Sequence, residues 1–301
     1  MPQFVIAAFY QFVALPDYRE LRNPLLTFCD EQQIKGSVLL AAEGINGTIA
    51  GTRKHVDAVL AFLRQDARLS TMLHKESFAD YIPFDRMKVR LKKEIVNLGK
   101  AEINPNDEVG TYVDPADWNA LISDPEVVLI DTRNDYEVDI GTFQGAINPN
   151  TQSFNQFPQF VTQQLDPRKQ KKVAMFCTGG IRCEKATAYM LQLGFEEVYH
   201  LKGGILNYLQ HIPSNNSMWN GDCFVFDKRI AVNHALAPGD VEICFHCQAV
   251  ISPQDKLSDL YELGVYCLHC YPTLSEKQRA SAKEKIKQLR LAKDRQKREE
   301  S

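Results

Sequence analysis

Val173-Ala174-Met175-Phe176-Cys177-Thr178-Gly179-Gly180-Ile181-Arg182-Cys183 runs from four apolar residues into a cysteine, two glycines and an arginine, and then into a helical pattern reaching about Leu193. A short apolar run that delivers the chain straight into a helix is the repeating step of a parallel α/β sheet. The junction suits a nucleophile. Gly179 and Gly180 let the backbone curl so that successive N–H groups point inward, and the helix adds the positive end of its dipole. With Arg182 close by, these groups depress the pKa of Cys177 and favour its thiolate, and the same cradle stabilises an anionic group passed to or from sulfur. The competing reading, a small buried cysteine at a strand end, leaves two glycines and an arginine without a purpose. Cys183 is either a resolving thiol for Cys177 or simply a helix-start residue.

Outward from this loop the alternation continues on both sides. Asp114 and Pro115 open a short helix leading to the strand Val127 to Ile130, and a helix spans Phe154 to Gln164. After the loop come the strand Glu197 to Leu201 and a helix from Gly204 to about His211. Residues 113–212 therefore form one α/β domain with a parallel sheet. Residues 101 to 112, with the breaker cluster Asn104-Pro105-Asn106-Asp107, are a connector.

Residues 1–100 have a different rhythm. Strand Phe4 to Phe12, a helix from Asp17 to about Gln33, strand Ser37 to Ala42, turn residues Glu43 to Gly47, a returning strand Thr48 to Ala50, a helix His55 to Arg64 and a last strand Met87 to Val96 give β-α-β-β-α-β. That order is the ferredoxin-like split βαβ unit. In the last strand Met87, Val89 and Leu91 fall on one face and Lys88, Arg90 and Lys92 on the other. The basic face is either an ordinary solvated surface or a track for phosphates.

From residue 213 to 275 periodicity weakens while Cys, His and aromatic residues become frequent, so these residues are read as a third, small, Cys-rich zinc-ribbon-like module. Cys244-x2-Cys247 and Cys267-x2-Cys270 are 19 residues apart, which lets two knuckles present four thiolates tetrahedrally to one Zn²⁺. Four thiolates leave no open coordination position, so such a zinc is structural, and His246 and His269 lie outside its ligand set. Four reduced cysteines without metal are the alternative. Residues 276–301 carry ten Lys/Arg against five Asp/Glu and read as a basic solvated helix that frays into disorder.

The chain has 301 residues, eight cysteines and a net charge of −3, and that charge is uneven: residues 1 to 100 carry 14 Lys/Arg against 11 Asp/Glu, but residues 101 to 212 carry 8 against 15. A polyanion is thus drawn to the two ends. No run of apolar residues is long enough to span a bilayer, and the N-terminus lacks the cationic start of a signal peptide, so a cytoplasmic location is expected. Paired Cys-x-x-Cys motifs fit metal binding or catalysis in a reducing compartment better than a disulfide framework.

Asp131-Thr-Arg133 with Tyr136-Glu137, Gly145-Ala-Ile-Asn148, Cys177-Thr-Gly-Gly-Ile-Arg182 and Leu201-Lys-Gly-Gly-Ile205 resemble a rhodanese domain. The resemblance implies a doubly wound parallel sheet, with Cys177 at the head of a six-residue loop over it, catalytic and able to carry a persulfide. It also implies that Thr178, Gly179, Gly180, Ile181 and Arg182 form its anion-binding loop. Arg133 and Glu137 are expected to pair with each other. Leu40-Ala-Ala-Glu43-Gly-Ile-Asn46-Gly-Thr-Ile-Ala-Gly51, Lys75-Glu-Ser77, Pro83-Phe84 and Lys93-Glu-Ile-Val96, taken with the central segments and the cysteine pairs, resemble the bacterial tRNA uridine(34) hydroxylases over residues 4 to 272. That family makes 5-hydroxyuridine at the wobble position with molecular oxygen. The resemblance thus implies an oxidoreductase with tRNA as partner, O2 as co-substrate and Cys177 as the thiolate acting at the uracil. No flavin, haem or iron motif is visible. Two other functions use the same features: a sulfurtransferase carrying persulfide on Cys177, and a noncatalytic RNA-binding adaptor.

Overall fold

The computed structural model describes residues 4–244, 246–247, 249–251 and 254–299, with side chains described as far as residue 288. Residues 1–3 of the first expected domain and 300–301 of the tail lie outside the described residues. The chain falls into two compact units, Met1–Pro238 and Gly239–Ser301.

The first unit begins with β1 (Phe4–Phe12), α1 (Tyr18–Glu31), β2 (Lys35–Ala41), β3 (Gly44–Gly51), α2 (Arg53–Arg64), β4 (His74–Ala79) and β5 (Met87–Leu91). The sheet order is β4-β1-β3-β2-β5, the ferredoxin-like arrangement with a fifth strand added parallel to β2. The expected last strand is thus that extra strand, and it ends at Leu91 rather than Val96. The true fourth strand, β4, reads His-Lys-Glu-Ser-Phe-Ala and has no apolar alternation, because it pairs only with β1 at the sheet edge. The β2–β3 turn is also tighter than expected. Ala41 already pairs with Gly44, so Ala42 and Glu43 form the turn and Asn46 and Gly47 are strand residues.

Alternation gives this sheet two faces. Val5, Ala7 and Phe9 of β1, Val38 and Leu40 of β2 and Val89 of β5 pack under α1 and α2 with Leu25, Val56, Val59 and Leu60. Ile6, Ala8 and Tyr10 point to the other face.

The rest of this unit carries β6 (Thr111–Val113), α3 (Pro115–Ile122), β7 (Val127–Asp131), α4 (Asp135–Val138), β8 (Gly141–Phe143), α5 (Phe157–Gln164), β9 (Lys172–Phe176), α6 (Ile181–Gln192), β10 (Glu197–Leu201) and α7 (Gly204–His211). Strands β6-β10-β9-β7 are all parallel, as expected of a doubly wound sheet. Residues 213–238 do not open a new module. Strand β11 (Trp219–Gly221) pairs antiparallel with β8, and β12 (Cys223–Phe224) pairs with β13 (Ala231–Val232). Trp219 and Cys223 are buried in the same core as Trp118, Phe143 and Phe176. Trp219 and Cys223, which look like part of a separate Cys-rich region in the sequence, are core of the α/β domain.

The Gly239–Ser301 unit is small: β14 (Glu242–Ile243), β15 (Val250–Ile251), the four cysteines and α8 (Glu276–Glu299). The basic helix belongs to it. Lys283 pairs with Glu262 at 2.6 Å, and the Arg279 guanidinium lies 4.4 Å from the Tyr271 ring centre.

The two sheets of the first unit are joined through charge. Lys185 of α6 has no solvent exposure, and its ammonium donates to Glu43 of the β2–β3 turn at 2.7 Å and to Glu94 at 2.5 Å. Glu43 also accepts from the Ile95 N–H, and Glu94 from those of Leu98 and Gly99. Removing one partner of a buried pair leaves its counter-charge stranded, a loss of about 3–5 kcal/mol. Lys185→Met should therefore lower the stability of this unit by that amount in denaturant unfolding, with part of it recovered in Lys185→Met/Glu43→Gln; a change below about 1 kcal/mol in the single variant would contradict this view of the joint.

Candidate active site

Strand β9 ends at Phe176 in the core, and the next residue, Cys177, is 1% exposed. The loop to α6 is fixed from several sides. Gly180 takes φ +105°, and a side chain there would meet the Tyr10 hydroxyl. Gly204 takes φ +68°, and a Cβ on it would fall 2.4 Å from the Cys177 carbonyl. Only glycine allows that approach, which lets the Ile205 N–H donate to the Cys177 carbonyl at 2.9 Å and the Leu206 N–H to that of Thr178 at 3.1 Å. The Leu201 to Ile205 motif is thus a brace for the loop.

The sulfur sits inside the curl, where the Gly180 N–H donates to Sγ at 3.1 Å. Burial works against ionisation of Cys177, but hydrogen bonds from the Cys183 thiol and from the Cys183 and Gly180 N–H groups, together with the Arg182 charge, outweigh it and bring the thiol down to about 6. Cys183 moves oppositely. It is fully buried beside Thr132, and burial and the neighbouring Cys177 charge push its thiol up. Cys183 therefore stays a protonated, buried neighbour of Cys177, packed against Thr132 at 3.5 Å.

The buried charges pair differently from expectation. Glu137 binds Arg182 through two contacts of 2.7 Å, whereas Arg133 binds Asp131 and donates to the Glu137 and Gly141 carbonyls. The expected Arg133–Glu137 side-chain pair does not form, because Asp131 is two residues away and presents both oxygens to the guanidinium. Arg182 consequently acts on Cys177 as a fixed nearby charge, with its fork already held by Glu137.

Three further residues come from sequence-distant places. Lys75 of β4 donates to the Gly179 carbonyl at 2.6 Å and to that of Gly203. Burial lowers this amine to about 8, and the Cys177 and Glu184 charges oppose that shift. The Tyr10 hydroxyl donates to Glu184 at 2.7 Å, and Tyr112 also hydrogen-bonds that carboxylate. Burial raises the Glu184 carboxyl, the two tyrosine hydrogen bonds oppose this, and the Cys177 charge adds to it. The periodicity of β1 places Tyr10 with Ile6 and Ala8 away from the helices, but its partner on α6 cannot be read from the sequence.

Cys177, Thr178, Gly179, Ile181 and Arg182 line a cleft of about 1450 Å³ whose other wall is the helix-free face of the first sheet, including Ala8, Ser37 and Thr48. Residues Val225 to Asp227 and Arg229 close one side. Of the expected basic face, Lys92 lines the cleft together with Lys93. Lys88 and Arg90 pair in register with Ser37 and Leu39, which line it too.

Cys244, Cys247, Cys267 and Cys270 converge in the other unit, with all four sulfurs within 4.8 Å of one another. Three of the sulfur–sulfur separations, 3.5 to 3.9 Å, are close to the edge of a tetrahedron, roughly 3.8 Å for metal–sulfur bonds near 2.3 Å. The group could hold a metal ion. His246 and His269 are exposed and lie outside it.

Residues 4–95 match the family described as UPF0176 acylphosphatase-like domain, and residues 114–211 match the rhodanese-like domain. The first unit is thus a rhodanese-domain protein with an acylphosphatase-like domain ahead of it. A protein from Teredinibacter turnerae named tRNA uridine(34) hydroxylase is 58% identical over 292 residues, spanning 97% of this chain and 91% of that protein. The chain belongs to the tRNA uridine(34) hydroxylase family. Among solved structures, a rhodanese-like domain from Anabaena is 17% identical, covering 36% of this chain and 78% of its own at a TM-score of 0.31. An acylphosphatase from Coxiella burnetii is 16% identical, covering 30% of this chain and 94% of its own at 0.25.

Because the thiolate is the nucleophile that displaces iodide, modification of Cys177 by iodoacetamide, followed by peptide mass spectrometry, should rise with pH to a midpoint near 6 and then level off. Lys75→Met removes a nearby positive charge and should move that midpoint upward. A midpoint at the ordinary thiol value in the unaltered chain would show that the cradle does not stabilise the anion.

Proposed function

We propose that this chain hydroxylates C5 of the wobble uridine of tRNA, using molecular oxygen, with Cys177 as the catalytic residue. The observation that carries this reading is a cysteine held as a thiolate at the wall of a large cleft, in a chain that aligns over nearly its whole length with a relative named for that reaction. The N–H of Gly180 and the Arg182 charge favour the anionic sulfur, and the loop residues Thr178 to Arg182 wrap around it. Addition of the thiolate to C6 of the uracil places negative charge on C5 and O4, so that C5 becomes nucleophilic toward oxygen. Loss of the C5 proton and expulsion of sulfur then restore the ring. Replacing C5–H by C5–OH takes two electrons from the ring, and reduction of the second oxygen atom to water takes two more from an external reductant.

Lys88, Arg90 and Lys92 support the RNA reading, since they lie on the sheet face that opens on the cleft and could meet phosphates beside the anticodon. The four cysteines support a structural Zn²⁺, because their separations fit a closed tetrahedron and leave no place for substrate. The rhodanese-like domain with a depressed Cys177 also favours a second reading, a sulfurtransferase carrying persulfide on the same atom.

Incubation of the chain with unmodified tRNA, a reductant and isotopically labelled O2 separates these readings. We expect one labelled oxygen on a single anticodon uridine, and a loss of more than about a hundredfold in Cys177→Ala with folding retained. Sulfur in the nucleoside, label from water alone, or an active Cys177→Ala chain would overturn the proposal. Elemental analysis should find about one Zn²⁺ per chain, and its removal should destabilise the Gly239–Ser301 unit while leaving the pH profile of Cys177 unchanged.

A further inference from the structure

Phe226 is 63% exposed, although it sits between core residue Val225 and the buried Arg229 and its neighbour Phe224 is itself buried. Its backbone is held firmly. Arg229 binds Asp227 through two contacts and donates to Ser77 at 2.6 Å, tying the loop to the first sheet. The Lys228 N–H donates to the Pro83 carbonyl at 3.1 Å, and the Ile230 N–H to that of Asp227 at 3.0 Å. The ring rests edge-on against Phe224, with centres 5.1 Å apart, and its centre lies 5.8 Å from the guanidinium carbon of Arg182. Phe226, Arg182 and Cys177 line the same cleft.

Folding needs only the buried part of this loop, so the protein holds a large apolar ring in water, against the Arg182 guanidinium and in the cleft that Cys177 lines. A flat ring offered this way fits the π-face of another flat ring, and any unpaired base can stack on it because stacking needs no particular hydrogen-bond pattern. An enzyme acting on a ring atom must take that base out of its stack, and a waiting aromatic surface replaces the neighbouring bases it leaves behind. We propose that Phe226 is the stacking platform for the unpaired nucleobase presented to Cys177. The inference rests on the RNA reading above and adds to it the side chain that receives the base.

Two measurements on the full chain test it. Steady-state hydroxylation of tRNA should lose roughly tenfold to a hundredfold in kcat/KM in Phe226→Leu and Phe226→Ala, whereas Phe226→Tyr stays within about threefold of the original. All three should keep the thermal midpoint, since the ring is exposed. Ultraviolet irradiation with tRNA carrying 5-iodouridine at the wobble position should place the adduct on residue 226, and Phe226→Leu should abolish it; this readout needs no turnover. Full activity in Phe226→Leu, or an adduct that maps elsewhere while hydroxylation proceeds, would overturn the platform and leave the RNA reading standing. A chain that neither hydroxylates nor cross-links to tRNA would remove the RNA reading, and the platform with it.

Discussion

The Lys185 ammonium is fully buried and would be untenable without the carboxylates of Glu43 and Glu94. Those three charges come from a strand turn of the first sheet, the segment after β5 and the helix that follows the reactive cysteine. They hold two independently patterned sheets in one relation. Lys75 repeats the arrangement nearer the sulfur, as an amine from one sheet gripping carbonyls of the other. The cleft exists because these contacts fix its two walls. The helix-free face of the first sheet, which would otherwise be simple solvent surface, becomes the roof over Cys177.

The sulfur's chemistry follows from a balance of opposed effects. A buried thiol in apolar surroundings stays protonated, as burial of Cys29 and Cys223 shows by pushing each up to about 12. Cys177 is just as inaccessible yet moves down, because the Gly180 N–H donates to it, the start of the next helix adjoins it and the Arg182 charge lies nearby. Glu137 prevents Arg182 from swinging away. The ion pair that looks structural therefore also sets the reactivity of the thiolate.

The loop was legible in the sequence because its requirements are local: a glycine, Gly180, where φ is positive, a strand before and a helix after. The four cysteines were legible for the same reason, since Cys-x2-Cys fixes its own geometry. What escaped the sequence was everything set by partners far along the chain. Strand β4 hides because its Lys75 and Ser77 serve the cleft rather than a core. Arg133 turned to Asp131 instead of Glu137, a choice among neighbouring acids that spacing cannot decide. The region after residue 213 looked like the start of a metal module because Trp219 and Cys223 are core residues of a domain whose pairing strand, β8, lies far earlier in the chain.

The joint between the sheets also imposes an order in time on a chain made from its N-terminus. Lys75 is 104 residues ahead of Gly179, and Glu43 is 142 ahead of Lys185. At about 5–20 residues per second, the first sheet waits roughly 5–30 s on the ribosome for its partner. During that interval its uncovered face would be a broad apolar surface if it were built for docking alone. The charges that later bind the two halves are hydrated while they wait, so the lysine and glutamate that close the finished molecule are the groups that face water in the half-made one.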